Sequence, residues 1–446
     1  MAAGHKKPDR GAKNLTGAQK LEPKRTLWQR SHATFAVMTM PLFTHRDDVF
    51  VAGGQPTITY VDREETHIER QLARAIATPN QIVSLSGATK TGKTVLCRKV
   101  LGKRQFVWID GGQIASADGF WSEVRGELSI PDETEFTRET GDTITGGADL
   151  VITMKGSHLS KTSLKEKRST KSLADTLSIL IKEKIAIVID DFHYLNEETR
   201  RSIVRNIKGA VFNGLKVVLL SVTHRVFDAI EAETELTGRF TSIILPEWSL
   251  DDLKKIPEIG FHALNVECPT EIIENLGRES QENPFLMQKF CWEICFDCGI
   301  EEKNLIRKQR IPDDYNIEEM FVRIAKDAGL PIYKILVAGP QSRKQRAKRP
   351  LADGGNADIY EATMLALAGT GPKSTISYEE LRSELGSMLS DKMPQKHEIT
   401  SALKHLAQIS RNKELESAID WDDTKREINI TDPYLRFYLR WQVRER

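Results

Sequence analysis

The sequence lacks the features of a membrane protein and of a polyelectrolyte. Within its 446 residues, no apolar run approaches the roughly 20 residues that a bilayer span requires. Its 64 basic and 63 acidic residues nearly cancel, so overall charge indicates no preference for nucleic acid. We therefore expect a soluble protein with no membrane contact, and the length predicts about two or three domains.

Cysteine is also scarce. The five cysteines, an odd number without a secretory signal, fit a reducing cytoplasm better than a disulfide framework, so we expect a cytoplasmic protein. The spacing of Cys291, Cys295 and Cys298 could suggest a metal site. Their context, FCWEICFDCG, instead favours an apolar helix in which cysteine acts as a small hydrophobic residue.

The N-terminal 44 residues show no hydrophobic periodicity. Residues 1–44 mix Lys and Arg with Gly, Pro and polar residues, which predicts a disordered basic tail. The short apolar run ATFAVMTMPLF is too brief and too late for a targeting signal. We hypothesise that translation starts at Met38 or Met40 and that the basic tail is an upstream extension.

Residues 45–247 alternate apolar strands with amphipathic helices. This alternation predicts an α/β core with a parallel sheet, and the near-continuous Val, Ile and Leu of the strands indicates burial on both faces. The predicted strands are residues 81–87, 106–111, 185–191, 216–222 and 241–247.

Three further units follow the predicted core. Residues 248–338 read as helices only and predict a helical lid domain, and the stretch 339–356 predicts a basic linker rich in Gly and Pro. In 357–446, three helices near 357–368, 377–389 and 395–411 precede two short strands. This order is typical of a winged helix-turn-helix.

One phosphate-binding motif is specific. GATKTGKT (Gly87, Ala88, Thr89, Lys90, Thr91, Gly92, Lys93 and Thr94), followed by Val95, matches G-x-x-x-x-G-K-[ST] between a buried strand and a helix. The glycines allow backbone N–H groups to face phosphate oxygens, and the helix N-terminus adds its positive dipole end. Lys93 would neutralise the β- and γ-phosphates, and the Thr94 hydroxyl would bind Mg²⁺. The alternative is a glycine-rich turn without a ligand.

The second half of such a site is an acidic residue after a neighbouring strand. Asp190 and Asp191 end IAIVIDD. We predict that Asp190 holds Mg²⁺ and that Asp191 polarises the attacking water, although paired acids also occur as helix caps. The sequence has no Asn-Lys-x-Asp element for guanine, so ATP is the expected nucleotide.

With both motifs in place, residues 45–446 resemble the AAA+ and STAND branch of P-loop ATPases, in particular bacterial and archaeal members with a C-terminal winged helix. The resemblance implies that TYVDREETHIERQL lies over the adenine, with Val61 and Arg63 at the matching positions. It also implies a contact of Pro284, in ENPFLMQKFC, with the base, although Glu282 stands where the family has glycine.

The same resemblance implies residues that sense or complete the nucleotide site. KVVLLSVTHR looks like the strand that ends in sensor 1, with Thr223 and Arg225 near the γ-phosphate. Arg239 in ELTGRF is similar to the arginine finger that reaches the nucleotide of a neighbouring subunit, which implies a homo-oligomer. Where AAA+ motors have Asp-Glu, this sequence has Asp-Asp. We infer slow hydrolysis suited to a switch.

The output of the protein is less defined by the sequence. The segment that contains TGDTITGGADLVITMKGS and then SKTSLKEKRSTKS predicts a hairpin plus a basic loop, and it would face a ring pore and touch nucleic acid or form a solvated loop. Its basic residues are Lys155, Lys161, Lys165, Lys167 and Arg168. In the winged helix, the predicted recognition helix and wing expose Lys396, His397, Thr400, Lys404, Arg411, Lys425 and Arg426. Asp420, Asp422 and Asp423 lie beside them, so DNA and a protein partner remain equal alternatives.

The sequence thus predicts a P-loop ATPase that couples nucleotide state to DNA or a partner protein. One alternative is a non-catalytic scaffold or transcription regulator that binds ATP structurally. Another is a translocase on nucleic acid.

Overall fold

The structure is a computed structural model that describes residues 43–128, 173–222, 239–341, 345–371, 373–412 and 418–443. The predicted basic tail, apart from its last two residues, lies outside these ranges, as do Met38 and Met40. The first element is a one-turn helix, α1, Arg46–Val49. No helix in the described ranges is long and apolar enough to cross a bilayer.

A five-stranded parallel sheet forms the first half of the described chain. Its strands lie in the order β2-β3-β4-β1-β5. The predicted strands are confirmed to within a few residues at each end. The strands are β1 (Ile82–Ser86), β2 (Phe106–Asp110), β3 (Ala186–Asp190), β4 (Val217–Ser221) and β5 (Phe240–Ile244).

Helices cover both faces of this sheet. On one face α2 and α3 pack against Val83, Leu85 and Val188, and on the other face α4, α5 and α6 pack against Ile109 and Ile187. Burial from both sides explains why the two strands β3 and β4 are apolar up to their last residue. The helices are α2 (Ile68–Ala77), α3 (Lys93–Leu101), α4 (Ala117–Glu127), α5 (Leu173–Lys182) and α6 (Glu197–Phe212).

The region predicted as a helical lid contains five helices and one short parallel ladder. The ladder joins β6 (Val266–Glu267) to β7 (Gln309–Arg310), so the expectation of helices alone was wrong. A two-residue strand is too short to show alternation, which is why the pattern missed it. The helices are α7 (Leu250–Leu264), α8 (Thr270–Glu279), α9 (Pro284–Asp297), α10 (Ile317–Ile324) and α11 (Leu330–Ala338).

The C-terminal region has the three helices and the strand pair that the sequence predicts. A third strand, β10, completes an antiparallel sheet in the order β10-β12-β11, which makes this a winged helix. A last helix, α15, follows and continues into a π-helical turn, Leu439–Val443. The elements are α12 (Ile359–Gly369), β10 (Thr375–Ser377), α13 (Tyr378–Met388), α14 (Lys396–Asn412), β11 (Ile419–Asp422), β12 (Glu427–Ile430) and α15 (Pro433–Tyr438).

The lid and the winged helix share one hydrophobic core. Phe437 of α15 lies 5.2 Å from Phe290 of α9 and 5.7 Å from Phe321 of α10, measured between ring centroids. Trp441 lies 5.0 Å from Phe321. The predicted linker also contains structure, an antiparallel pair of β8 (Arg349–Pro350) and β9 (Asn356–Ala357). Residues 339–356 therefore connect two parts of a single core.

Candidate functional site

A cleft of about 930 Å³ opens where β1, β2 and β3 end. Its walls come from three parts of the chain: the core, the lid through Pro284 and Gln288, and the winged helix through Arg411 and Thr431. This volume lies at the upper end of the roughly 300–1,000 Å³ of small-molecule sites. The cleft is thus the candidate binding site.

The P-loop forms the floor of this cleft. Gly92 has a φ of 97° and immediately precedes α3, so it takes a conformation that favours glycine at the helix start. At Gly87, a Cβ atom would lie 2.9 Å from Leu245 Cβ, so the loop passes β5 too closely for a side chain. Residues Thr89 to Val95 all line the cleft, as the motif predicts.

Lys93 is buried within the loop that would bind phosphate. Its Nζ donates to the carbonyl oxygens of Gly87 at 3.1 Å and Ala88 at 2.8 Å. Burial lowers the Lys93 pKa, while the charges of Asp191 and Asp190 act against this shift. Lys93 is the cation of the P-loop that the loop itself encloses. A bound phosphate would replace the two carbonyl oxygens as the hydrogen-bond partner of its ammonium group.

The Thr94 hydroxyl and Asp190 meet at the end of β3. Thr94 Oγ1 donates to Asp190 Oδ2 at 2.9 Å, so the two predicted metal ligands are adjacent. Burial raises the Asp190 pKa, and the hydrogen bond from Thr94 and the charge of Lys93 oppose this. Both side chains offer oxygen atoms, the ligands that Mg²⁺ prefers. Among the described residues no group of three acidic, His or Cys side chains could hold a metal alone, so water and phosphate would complete the coordination.

Asp191 has an unusual backbone conformation. Its φ of 50° and ψ of 41° are left-handed, and its N–H donates to Asp190 Oδ1 at 3.0 Å. The carboxylate is 44% exposed and lies 4.0 Å from His193 Nδ1. Strain of this kind in a non-glycine residue is concentrated at functional sites. The turn places Asp191 on the cleft, where a water molecule could reach it.

Four features now lie around one cleft: a P-loop after β1, an acidic pair after β3, a lid and a winged helix. In the sheet, β4 lies between β1 and β3, so the carboxyl end of β4 lies between the strand that leads into the P-loop and the strand that ends in the acidic pair. The fold is an α/β P-loop fold with a helical lid and a C-terminal winged helix.

Comparison with known proteins finds distant similarity to solved structures. No protein-family model matches the sequence, and no curated protein matches it. Cdc6p from Pyrobaculum aerophilum is 15% identical, with a TM-score of 0.43, over 90% of this chain and 98% of that chain. The ORC2 protein of Aeropyrum pernix is 12% identical, with a TM-score of 0.47, over 90% and 97%. The Thermotoga maritima RuvB Holliday junction branch migration motor is 14% identical, with a TM-score of 0.40, over 83% and 93%.

These identities and TM-scores are low. The assignment of the P-loop fold is based on the sheet, the P-loop and the winged helix of the chain itself.

The residues expected around the adenine also line the cleft. Val61, Arg63 and Pro284 lie on its wall, with Pro284 the first residue of α9. The Arg63 guanidinium lies 4.8 Å above the Trp248 ring, and Nη1 donates to the Pro246 carbonyl at 2.9 Å. Its other terminal nitrogen, Nη2, is buried and has no hydrogen-bond partner among the described residues. The structure thus places a buried cation and a donor in this wall.

The structure does not bring every predicted residue to the cleft. Thr223, Arg225 and the basic residues between 155 and 168 lie outside the described ranges. Arg239 lies at the amino end of β5, the edge of the sheet opposite to the P-loop, and its guanidinium stacks on Phe212 at 5.0 Å. Arg239 is therefore remote from the P-loop of its own chain.

Sequence reasoning missed four contributors to the site. Asp110 ends β2 opposite Asp190 and raises the Asp190 pKa slightly, a residue that the strand ending FVWID could have indicated. Trp248 Nε1 donates to the Thr91 carbonyl at 3.0 Å. Asn283 Nδ2 donates to the Thr89 carbonyl at 3.2 Å, and Asp432 contacts Lys90. These contacts join distant parts of the chain, and no local pattern signals them.

Among the basic residues predicted to face DNA, four are paired with acids, whereas Lys396 and His397 are exposed. Lys404 lies 3.0 Å from Asp423 and Arg426 lies 3.6 Å from Glu379. Arg411 is hydrogen-bonded to Asp420 and both line the nucleotide cleft, so this end of α14 faces the core. Pairing with carboxylates reduces the charge that this surface offers to phosphates.

Proposed function

We propose that the protein binds ATP with Mg²⁺ and hydrolyses it slowly, and that nucleotide state controls the position of its C-terminal half. The adjacency of Thr94 and Asp190, at 2.9 Å beside the buried Lys93, supports this most directly. Bound Mg²⁺ would be held by these two side chains and would neutralise charge as the γ-phosphoryl group is transferred to water.

In this proposal the roles of the side chains follow from their positions. Lys93 leaves the Gly87 and Ala88 carbonyls and offsets charge on the phosphates. Asp191 orients the attacking water and accepts its proton, since its carboxylate is accessible from the cleft. Its short side chain reaches less far than a glutamate, which supports slow turnover. A steady-state rate well above about one per second would remove that support.

The direct test is phosphate release by wild type and Asp191→Asn, combined with calorimetry of Mg·ATP binding. We expect both to bind, and the variant to lose roughly 10²–10⁴-fold in turnover, the range for a general base. Lys93→Ala should abolish binding. Binding that survives Lys93→Ala, or turnover that survives Asp191→Asn, would contradict the assigned roles; binding without any turnover in wild type would favour a non-catalytic scaffold.

We also propose a homo-oligomer in which Arg239 reaches the nucleotide of a neighbour. Its position opposite to its own P-loop supports a role between subunits.

For the output, we propose a partner protein as the winged-helix ligand ahead of DNA, because of the pairing of Lys404 and Arg426 with carboxylates. Turnover measured with and without duplex DNA at two salt concentrations separates the alternatives. A protein-docking winged helix predicts little stimulation. Strong stimulation that falls with salt would indicate DNA binding or translocation.

A further inference from the structure

The segment that follows the wing reaches the P-loop. Asp432 Oδ2 accepts a hydrogen bond from Lys90 Nζ at 3.1 Å, and the Asp432 side chain is 5% exposed. The Lys90 ammonium also lies 5.1 Å from the Phe285 ring and 5.6 Å from the Tyr434 ring. Lys90 therefore belongs to the floor of the cleft and to a junction of the P-loop, the lid and α15.

Asp432 is fixed in this position by a second role. Its Oδ1 accepts from the Leu435 N–H at 2.8 Å and so caps α15. Beyond the cap, Arg440 forms two hydrogen bonds of 2.8 Å with the Glu279 carboxylate at the end of α8. The carboxylate that holds Lys90 is thus attached to the lid, and it moves only if α15 and the lid move.

The charge balance at this junction changes when an anion enters the cleft. Asp432 is 4% exposed, and its neighbour Thr431 lines the cleft. A buried carboxylate is stable beside Lys90 because the ammonium compensates it. Phosphate groups on the same P-loop would draw on the same ammonium and would place further negative charge near Asp432.

We propose that Asp432 and the nucleotide phosphates compete for Lys90, which rests on the proposed binding of ATP in this cleft. The docked C-terminal segment then lowers nucleotide affinity, and bound triphosphate loosens the contact of α15 with the P-loop. The two effects are equal in free energy because coupling between two binding events is reciprocal. Asp432 would therefore set how much nucleotide is needed to release the C-terminal half.

The substitution Asp432→Asn tests this competition and preserves the helix cap, since asparagine caps helices as well as aspartate does. Asp432→Ser is a second uncharged capping variant. The matched control is Asp358→Asn: Asp358 caps α12 through the Tyr360 N–H at 2.9 Å and pairs with Arg346 at 3.0 Å, but it does not line the cleft. Calorimetry on the full chain gives the affinity for the magnesium complex of the β,γ-imido analogue of ATP.

We expect Asp432→Asn and Asp432→Ser to bind the analogue about fivefold more tightly or better, the lower end of typical couplings, with Asp358→Asn unchanged. Hydrogen exchange in residues 431–441 should rise in wild type when the analogue binds. Equal or weaker binding by both variants, or unchanged exchange in analogue-saturated wild type, overturns the competition. If wild type itself fails to bind, the proposed function fails first.

Discussion

The Thr94 hydroxyl has two roles in the proposed site: it would bind Mg²⁺, and it donates a hydrogen bond to the Asp190 carboxylate. It donates to Asp190 in the structure, and its oxygen lone pairs remain available to a cation, because a hydroxyl both donates and accepts. A methyl group cannot replace it in either role.

We therefore expect Thr94→Ala to lower the Mg²⁺-dependent part of ATP affinity by roughly 10–100-fold, the range for the loss of groups that organise a metal site. Thr94→Ser keeps the oxygen and should bind nearly as wild type. The measurement is calorimetric titration with and without Mg²⁺. Equal losses in both variants would show that the methyl group, not the oxygen, carries the effect.

Glu282 has a left-handed backbone conformation at a position where the resembled family has glycine. In this structure Glu282 has a φ of 61°, after Gln281 with a φ of 51°. The left-handed region costs a non-glycine residue about 1–2 kcal/mol, so the sequence departure is a real local strain next to Pro284.

Replacement of this residue by glycine should relieve the strain. The gain is offset by the about 0.5–1 kcal/mol that glycine loses in chain entropy, so we expect Glu282→Gly to be neutral or stabilising by up to about 1 kcal/mol. Glu258→Gly, at an exposed position inside α7, should cost about 1 kcal/mol. Urea unfolding compares the two. A Glu282→Gly variant as unstable as the control would contradict the strain.

At the scale of elements, the sequence predicted the five core strands and the two strands of the wing, and it missed the strands of two or three residues. The core strands are rich in apolar residues, so their positions were within reach of pattern reasoning. Strands β6 to β10 have two or three residues each, and long-range pairing alone defines them. The P-loop and Asp190 were predictable because their chemistry follows from local spacing, whereas the Lys90 to Asp432 contact depends on folding of the C-terminal half.

The contact of α15 with the lid can be tested at Gly329, in the π-helical turn Ala325–Gly329. A Cβ atom there would lie 2.3 Å from Tyr438 Cβ and 2.6 Å from the Tyr434 carbonyl oxygen. We expect Gly329→Ala to destabilise the protein by about 1–3 kcal/mol, because α15 must shift. Thermal or urea unfolding measures it.

Gly209, inside α6, provides the control, because a Cβ added there meets no atom within 4 Å. Gly209→Ala should stabilise the protein by about 0.5–1 kcal/mol, the usual gain of alanine over glycine in a helix. A stabilising Gly329→Ala would mean that α15 does not pack on this turn in solution.

At the scale of the whole molecule, the role proposed for Arg239 would make the active unit larger than one chain. A mixture of Arg239→Ala and Lys93→Ala should hydrolyse ATP although each variant alone is inactive, since one chain keeps the P-loop and the other keeps the arginine. Arginine fingers contribute roughly 10³–10⁵ in rate, so restored turnover stands well above background. The measurement is phosphate release across mixing ratios. A mixture as inactive as its components would place the role of Arg239 elsewhere.

The aromatic contacts of Phe437 and Trp441 with Phe290 and Phe321 limit how evolution and engineering can treat the C-terminal half. A winged-helix domain that is joined by a flexible linker and has its own core can be exchanged between proteins. Here, transfer of the winged helix to another protein would divide the shared hydrophobic core. Aromatic rings would then be exposed to water both on the remaining lid and on the transferred winged helix. We therefore expect the lid and the winged helix to be inherited together and to diverge together as one unit.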